Sequence, residues 1–165
     1  MISIDGRGIY ILILKNTCEE WVKPGSLPYT LFQQGIYAYV GSAKGPGGLA
    51  RRINRHLKRH KKIKWHIDYL TCKDTWIPIA VIYSECFSCC EEALVQQLEK
   101  SGLWTHMVKG FGSSDTDAFS HFLKFKYNDI TRAVKIAEKA FLGIGLKPQK
   151  IIFRKEDKKS LGGDL

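Results

Sequence analysis

The chain has 165 residues, 44% of them apolar and 25% charged, with a formal net charge of +10. That length allows one domain with a real core, and the balance is that of a folded protein rather than a low-complexity chain. No apolar run approaches the roughly 20 residues of a membrane-crossing helix, and Met1 to Arg7 lack the basic segment and apolar stretch of a signal peptide, so the expected compartment is the cytoplasm.

Gly8 to Lys15 (GIYILILK) is apolar, β-branched and bounded by Gly and Asn, which predicts a strand. Thr17 to Gln34 carries Pro24-Gly25 and Pro28 and predicts a hairpin-like excursion. Gly35 to Gly41 (GIYAYVG) alternates Ile36, Ala38 and Val40 against Tyr37 and Tyr39 as a second strand. The loop Ser42 to Gly48 leads into a helix from Leu49 to about His60, and lacks the Gly-Lys-Ser/Thr ending of a Walker A loop. Trp65 to Thr71 reads as a short helix, Trp76 to Ser84 as a buried strand, and Ser88 to about Lys100 as a helix with Ala93, Leu94 and Leu98 on one face. Weaker strand signals lie at Met107-Val108 and from Ser120 to Lys126. Asn128 is a good N-cap for an amphipathic helix from Asp129 to about Leu142, ended by Gly143 and Gly145, and Lys147 to Arg154 reads as an edge strand. Residues 1–154 are thus expected to form one α+β domain. The charged, Gly-rich stretch 155–165 reads as a disordered tail.

A strongly basic chain predicts a polyanionic partner, and nucleic acid is the commonest because each neutralised phosphate releases a counterion. No segment pairs a basic face with a bulky apolar one, so a membrane surface is not expected. The cations cluster: Arg51, Arg52, Arg55, Lys58, Arg59, Lys61 and Lys62 lie between Lys44 and Lys64. On a helical wheel Leu49, Ile53 and Leu57 form the stripe that packs on the sheet. Arg52 and His56 stack on its border with Arg59 beside them, and Arg51, Arg55 and Lys58 point outward.

The cysteines are Cys18, Cys72, Cys86, Cys89 and Cys90. An odd count without an export signal predicts reduced thiols. Cys86 and Cys89 have the spacing of a zinc knuckle, but no second such pair follows, so thiols are favoured over zinc.

Gly8-Ile9-Tyr10 on one strand, Tyr39-Val40-Gly41 on the next, Arg52 with His56 on a helix and Glu91 on a later helix resemble the GIY-YIG nucleases in order. GIYAYVGSAKGPGGLARRINRHL, WHIDYL (Trp65–Leu70) and GFGSSD (Gly110–Asp115) with Ser120-His121 are similar to a branch of small prokaryotic proteins of that superfamily. The likeness spans roughly residues 8 to 125 and implies a small central, mainly antiparallel β-sheet flanked by helices, with the last helix as a C-terminal extension. Two departures stand out. About thirty residues separate the GIY and YIG elements, and Thr116 to Phe119 stand where branch relatives often carry cysteines. The likeness implies a metal-dependent endonuclease hydrolysing phosphodiesters in nucleic acid, DNA before RNA. Glu91 would hold magnesium, or manganese in its place, and Arg52 would grip the non-bridging oxygens. Tyr10 or Tyr39 would orient or deprotonate water, and His56 would supply a proton or a phosphate contact. Lys44, Arg51, Arg55, Lys58, Arg59 and Lys62 are the expected backbone contacts, and so small a domain leaves room for a protein partner that selects the target. The alternative is a non-catalytic nucleic-acid-binding module; a zinc-stabilised interaction domain rests on the cysteines alone.

Plainer readings stand beside these. Ser88-x-x-Glu91 has capping-box spacing, with Glu92 next in line if the register slips by one. Strand tyrosines commonly cover a half-buried sheet. His66, Asp68, Asp115 and His121 are polar markers open to either a second site or structural hydrogen bonds.

Overall fold

Ile9, Ile11 and Ile13 bury on one face of the first strand, and Tyr10, Leu12 and Leu14 bury on the other. A strand apolar on both faces must be covered on both, and that requirement sets the architecture.

The structure, a computed structural model, describes residues 1–154, so the expected tail lies outside the described residues. In chain order the elements are β1 (Gly8–Asn16), β2 (Glu20–Val22), β3 (Thr30–Phe32), β4 (Gly35–Ala43), α1 (Gly48–Leu57) and α2 (Asp68–Thr71). Then follow β5 (Trp76–Glu85), α3 (Glu91–Lys100), β6 (Trp104–His106), β7 (Phe122–Phe125), α4 (Ile130–Gly143) and β8 (Gln149–Ile152). Six strands form one sheet in the order β6-β7-β4-β1-β5-β8, every neighbouring pair antiparallel, and β2-β3 is a separate hairpin. The fold is α+β, as expected from the resemblance to the GIY-YIG nucleases. On one side Leu49, Ile53 and Leu57 of α1 and Leu70 of α2 close over Tyr10, Tyr37, Trp76 and Phe122. On the other, Leu94 and Leu98 of α3 and Ala137 and Phe141 of α4 close over Ile11, Ile36 and Leu123. Among the described residues no helix is long and apolar enough to cross a membrane.

Several boundaries differ from expectation by a few residues, α3 for one starting at Glu91 rather than Ser88, and four differences have a local reason. α1 ends at Leu57 rather than near His60, because Lys58 turns extended and the Lys61 ammonium takes the carbonyls of Arg55 and His56. The short helix is only Asp68–Thr71, since the carboxylate of Asp68 draws in the amides of Lys64 and Trp65 ahead of it. β6 is Trp104–His106 rather than Met107-Val108, because its buried Trp104 packs on Phe125 of β7. The N-cap of α4 is Asp129, whose side chain accepts the Arg132 amide at 3.0 Å, not Asn128.

Gly8 has no room for a side chain: a Cβ there would lie 2.0 Å from the Ser84 carbonyl oxygen on β5. That neighbour is backbone in the middle of the sheet and cannot move aside. Gly8→Ala should therefore destabilise the fold by about 1–3 kcal/mol, seen as a lower urea midpoint with an unchanged slope; an unaltered midpoint would mean that β5 yields there.

Candidate active site

β1 and β4 run side by side with Tyr10 directly opposite Gly41. The Tyr10 phenol lies across that glycine, so that a Cβ at position 41 would meet its hydroxyl oxygen at 2.4 Å. The YVG glycine thus makes space for the GIY tyrosine. The hydroxyl reaches Nε2 of His56 on α1 at 2.6 Å. His56 does not sit on the helix border, as the wheel implied. Only 1% of it is exposed. Burial, helped by the charge of Lys61, pulls its imidazole down to about 3, so it is neutral at ordinary pH. Burial and neighbouring Tyr39 hold the Tyr10 phenol well above its usual value against the pull of Arg52. Tyr10 and His56 therefore form a neutral, water-excluded pair. Tyr39 lies on the same face, its ring 6.5 Å from that of Tyr10. Burial pushes it up to about 12, with Arg52 opposing and the carboxylates of Asp68, Glu91 and Asp115 adding to the rise.

The cationic wall is built around Trp65. The guanidinium carbons of Arg52 and Arg55 lie 4.3 and 4.4 Å from the centroid of its ring, and such contacts are worth roughly 0.5–2 kcal/mol. Trp65 is held by Asp68, whose fully buried carboxylate accepts the amides of Lys64 and Trp65 at 2.9 and 3.0 Å and the Arg55 guanidinium. Nζ of Lys61, on a side chain only 4% exposed, lies 3.5 Å from its other oxygen. Desolvation alone would raise the Asp68 carboxyl, but the two amides and two cations outweigh it and hold it below its usual value. Lys61 is shifted down, because its own burial outweighs the attraction of Asp68.

The anionic wall comes from the other layer. α3 packs beneath the sheet, yet its first residue, Glu91, lines the same cleft of about 640 Å³ as Tyr10, Tyr39, Arg52, His66 and His121. Cys90 is the N-cap and makes no side-chain cap bond, and among the described residues nothing hydrogen-bonds or ion-pairs the Glu91 carboxylate. The Ser88–Glu91 capping box does not form. Glu92 is the anchored carboxylate instead, 3.5 Å from Nε2 of buried His121. Desolvation raises it, but its own amide, His121, Thr116 and Cys90 prevail and leave it below the usual range. Nδ1 of His66 accepts the Gly112 amide at 3.1 Å, tying the Trp65 segment to the 110–121 loop.

Tyr10, Tyr39, Arg52 and Glu91 thus converge on one cleft, with His56 directly behind Tyr10. The six expected phosphate contacts divide. Arg55 turns inward onto Asp68, Arg59 is held by the Lys73 carbonyl and Asp74, and Lys44 donates to the Cys89 carbonyl. Arg51, Lys58 and Lys62 remain exposed. Arg51 and Lys62 line a second groove of about 720 Å³ that shares Arg52, Lys64 and Trp65 with the cleft. Spacing gave no sign that Trp65 would support two guanidiniums or that His66 would hold Gly112, although both lie in the WHIDYL segment.

Magnesium characteristically takes one or two carboxylates, several waters and substrate phosphates. Glu91, unbonded and lining the same cleft as Asp115, fits that donor set. Cys86 and Cys89 are joined in a disulfide, which corrects the expectation of reduced thiols at these positions and removes their sulfurs from any zinc knuckle; Cys18, Cys72 and Cys90 are free.

A family model described as Domain of unknown function DUF123 matches residues 9–142. No curated protein and no solved structure matches the chain.

Removing the Asp68 carboxylate strands Arg55 and Lys61, so Asp68→Ala should cost about 3–5 kcal/mol at neutral pH. Because its folded pKa lies below the unfolded one, the stabilisation by Asp68 is complete above the unfolded value of about 3.9 and disappears as pH falls through the folded one. Asp68→Asn should accordingly lose part of the acid dependence of stability in urea titrations run across that window. An acid limb identical to that of the wild type would show that Asp68 is not the titrating group.

Proposed function

The chain belongs to the DUF123 family, and on that premise we propose that it is a GIY-YIG-type endonuclease hydrolysing phosphodiester bonds in nucleic acid, DNA before RNA, with a divalent metal. The observation that carries the reading is the convergence, from both layers of the fold, of Tyr39, Arg52 and Glu91 on one cleft. Tyr39 also packs in the core, but Arg52 and Glu91 do not follow from the needs of the core alone.

Glu91, with Asp115 nearby, would hold magnesium, or manganese in its place. Bound there, the cation would supply Lewis-acid stabilisation of negative charge on the phosphoryl group and the leaving oxygen. Arg52 has no carboxylate partner among the described residues and is steadied by Trp65, so its fork is available for two non-bridging oxygens. Tyr39 lines the cleft and orients the attacking water. The Tyr10 hydroxyl is already engaged by His56, so Tyr10 fixes the neighbouring wall rather than meeting the water first. Neutral His56 keeps Tyr10 in place without adding charge behind it. The groove over Arg51, Lys62 and Lys64 carries the flanking phosphates. A protein partner remains compatible with a surface this small.

The deciding experiment is cleavage of supercoiled and branched DNA with magnesium or manganese, with binding followed in parallel. Arg52→Lys and Glu91→Gln should each lower the cleavage rate about 10²–10³-fold, and Tyr39→Phe about 10²-fold or more, while binding changes far less. Lys62→Ala should weaken binding across sequences and reduce its salt slope by about 1. Salt-sensitive binding with no cutting of DNA or RNA would favour the binding-module alternative. Cutting that survives the Arg52 and Glu91 changes would place the chemistry elsewhere.

A further inference from the structure

The Cys86–Cys89 disulfide encloses only Phe87 and Ser88, both exposed. The stabilisation that a disulfide draws from restricting the unfolded chain grows with loop length, so the effect of this one is mainly local. What it constrains is the approach to Glu91. Cys86 is fixed to the end of the sheet, its amide donating to the Arg7 carbonyl at 2.9 Å. Cys89 is fixed from the other side, its carbonyl accepting the ammonium of Lys44 on the β4–α1 loop. Cys90 caps α3 with an exposed thiol, and Glu91 is the first residue of that helix. Phe87 and Ser88 are thus bracketed by one reducible bond, whose second cysteine lies two residues before the cleft carboxylate. Both of its sulfurs belong to partly exposed residues.

We propose that Cys86 and Cys89 are a thiol–disulfide exchange site, taking a low-molecular-weight thiol as co-substrate, whose state sets the position of Glu91. An incoming thiolate attacks one of the two sulfurs. A mixed disulfide forms as the Cys86–Cys89 bond breaks, and the bonding pair leaves on the other cysteine, which takes up a proton. A second thiolate attacks the sulfur of the first thiol, and the remaining protein cysteine leaves with the bonding pair and takes up a proton. The protein disulfide has then gained two electrons and two protons while two thiols become one disulfide. Closed, the bond holds the start of α3 between the sheet and Lys44. Open, it releases residues 87–90 and loosens the carboxylate at the cleft. The exchange chemistry stands without the nuclease reading; its effect on a metal at Glu91 rests on that reading.

The test uses the full chain equilibrated with reduced or oxidised dithiothreitol. Alkylation with mass spectrometry should find two additional thiols after reduction, at Cys86 and Cys89. Amide hydrogen exchange in the first turn of α3 should quicken, and magnesium affinity measured by calorimetry should fall about tenfold. Cys86→Ser/Cys89→Ser should behave as the reduced protein in both buffers, whereas Cys18→Ser/Cys72→Ser should keep the full response. Alkylation of both cysteines in the oxidised buffer would overturn the exchange site. A disulfide that opens and closes with no change in exchange or magnesium affinity would overturn its coupling to Glu91. Redox-dependent exchange and magnesium binding without cutting of any substrate would sink the nuclease reading and leave this site standing; equal cutting and equal magnesium affinity in both buffers would overturn the coupling to Glu91 and leave the nuclease reading standing.

Discussion

The buried carboxylate of Asp68 is the contact on which the cleft depends. An ion with no exposure is tolerated only when its partners offset the lost water, and here two amides and a guanidinium bond one oxygen while the Lys61 ammonium lies 3.5 Å from the other. Each of those partners belongs to a different piece of the site. Arg55 is on α1, Lys61 closes the carbonyl end of α1, and the amides belong to the segment that carries Trp65. The indole then fixes the Arg52 guanidinium. A charge that never touches the cleft therefore determines where the cleft keeps its cation.

The second constraint is steric. β1 and β4 approach closely enough for a tyrosine to cross a glycine, and Tyr10 fills the space that a side chain at Gly41 would occupy. The same closeness places the Tyr10 hydroxyl against His56. Its consequence is electrostatic, because both groups are stripped of water and kept neutral. Of the two motif tyrosines, Tyr39 is the one whose hydroxyl has no imidazole to answer to among the described residues, and it faces the carboxylates and Arg52 together.

Much of this was legible in the sequence. The alternation in GIYILILK and GIYAYVG, the stripe Leu49-Ile53-Leu57 and the N-terminal position of Glu91 on α3 each rest on periodicity or motif order, which a chain displays directly. Arg55 was misplaced because a wheel assigns direction by angle alone and cannot see that a carboxylate thirteen residues on will draw the side chain inward. His56 sank from border to core for the same kind of reason, its ring being enclosed by Tyr10, Tyr39 and Trp65 from three other segments. The choice between Glu91 and Glu92 was open because adjacent helical residues diverge by about 100°. In the structure Glu91 lines the cleft, and Glu92 lies against His121, a residue some thirty positions away. The failures share one cause: each depends on a partner distant in sequence.

The layering of the fold explains why the cleft can keep both a cation and an anion open to a ligand. Arg52 rides on α1 above the sheet, and Glu91 starts α3 below it. Had both come from one helix, a spacing of three or four residues would have let them pair, and each would have neutralised the other. Coming from opposite layers, they meet only around the end of the sheet, line one cleft and form no ion pair among the described residues. The competing charges are absorbed elsewhere: Asp68 takes Arg55 and Lys61, and His121 lies against Glu92. What lines the cleft is charge of both signs, the cations of Arg52 and Lys64 with the carboxylates of Glu91 and Asp115. On the proposed nuclease reading, a phosphate group with a divalent cation would answer both signs at once, whereas a neutral ligand would leave both unanswered.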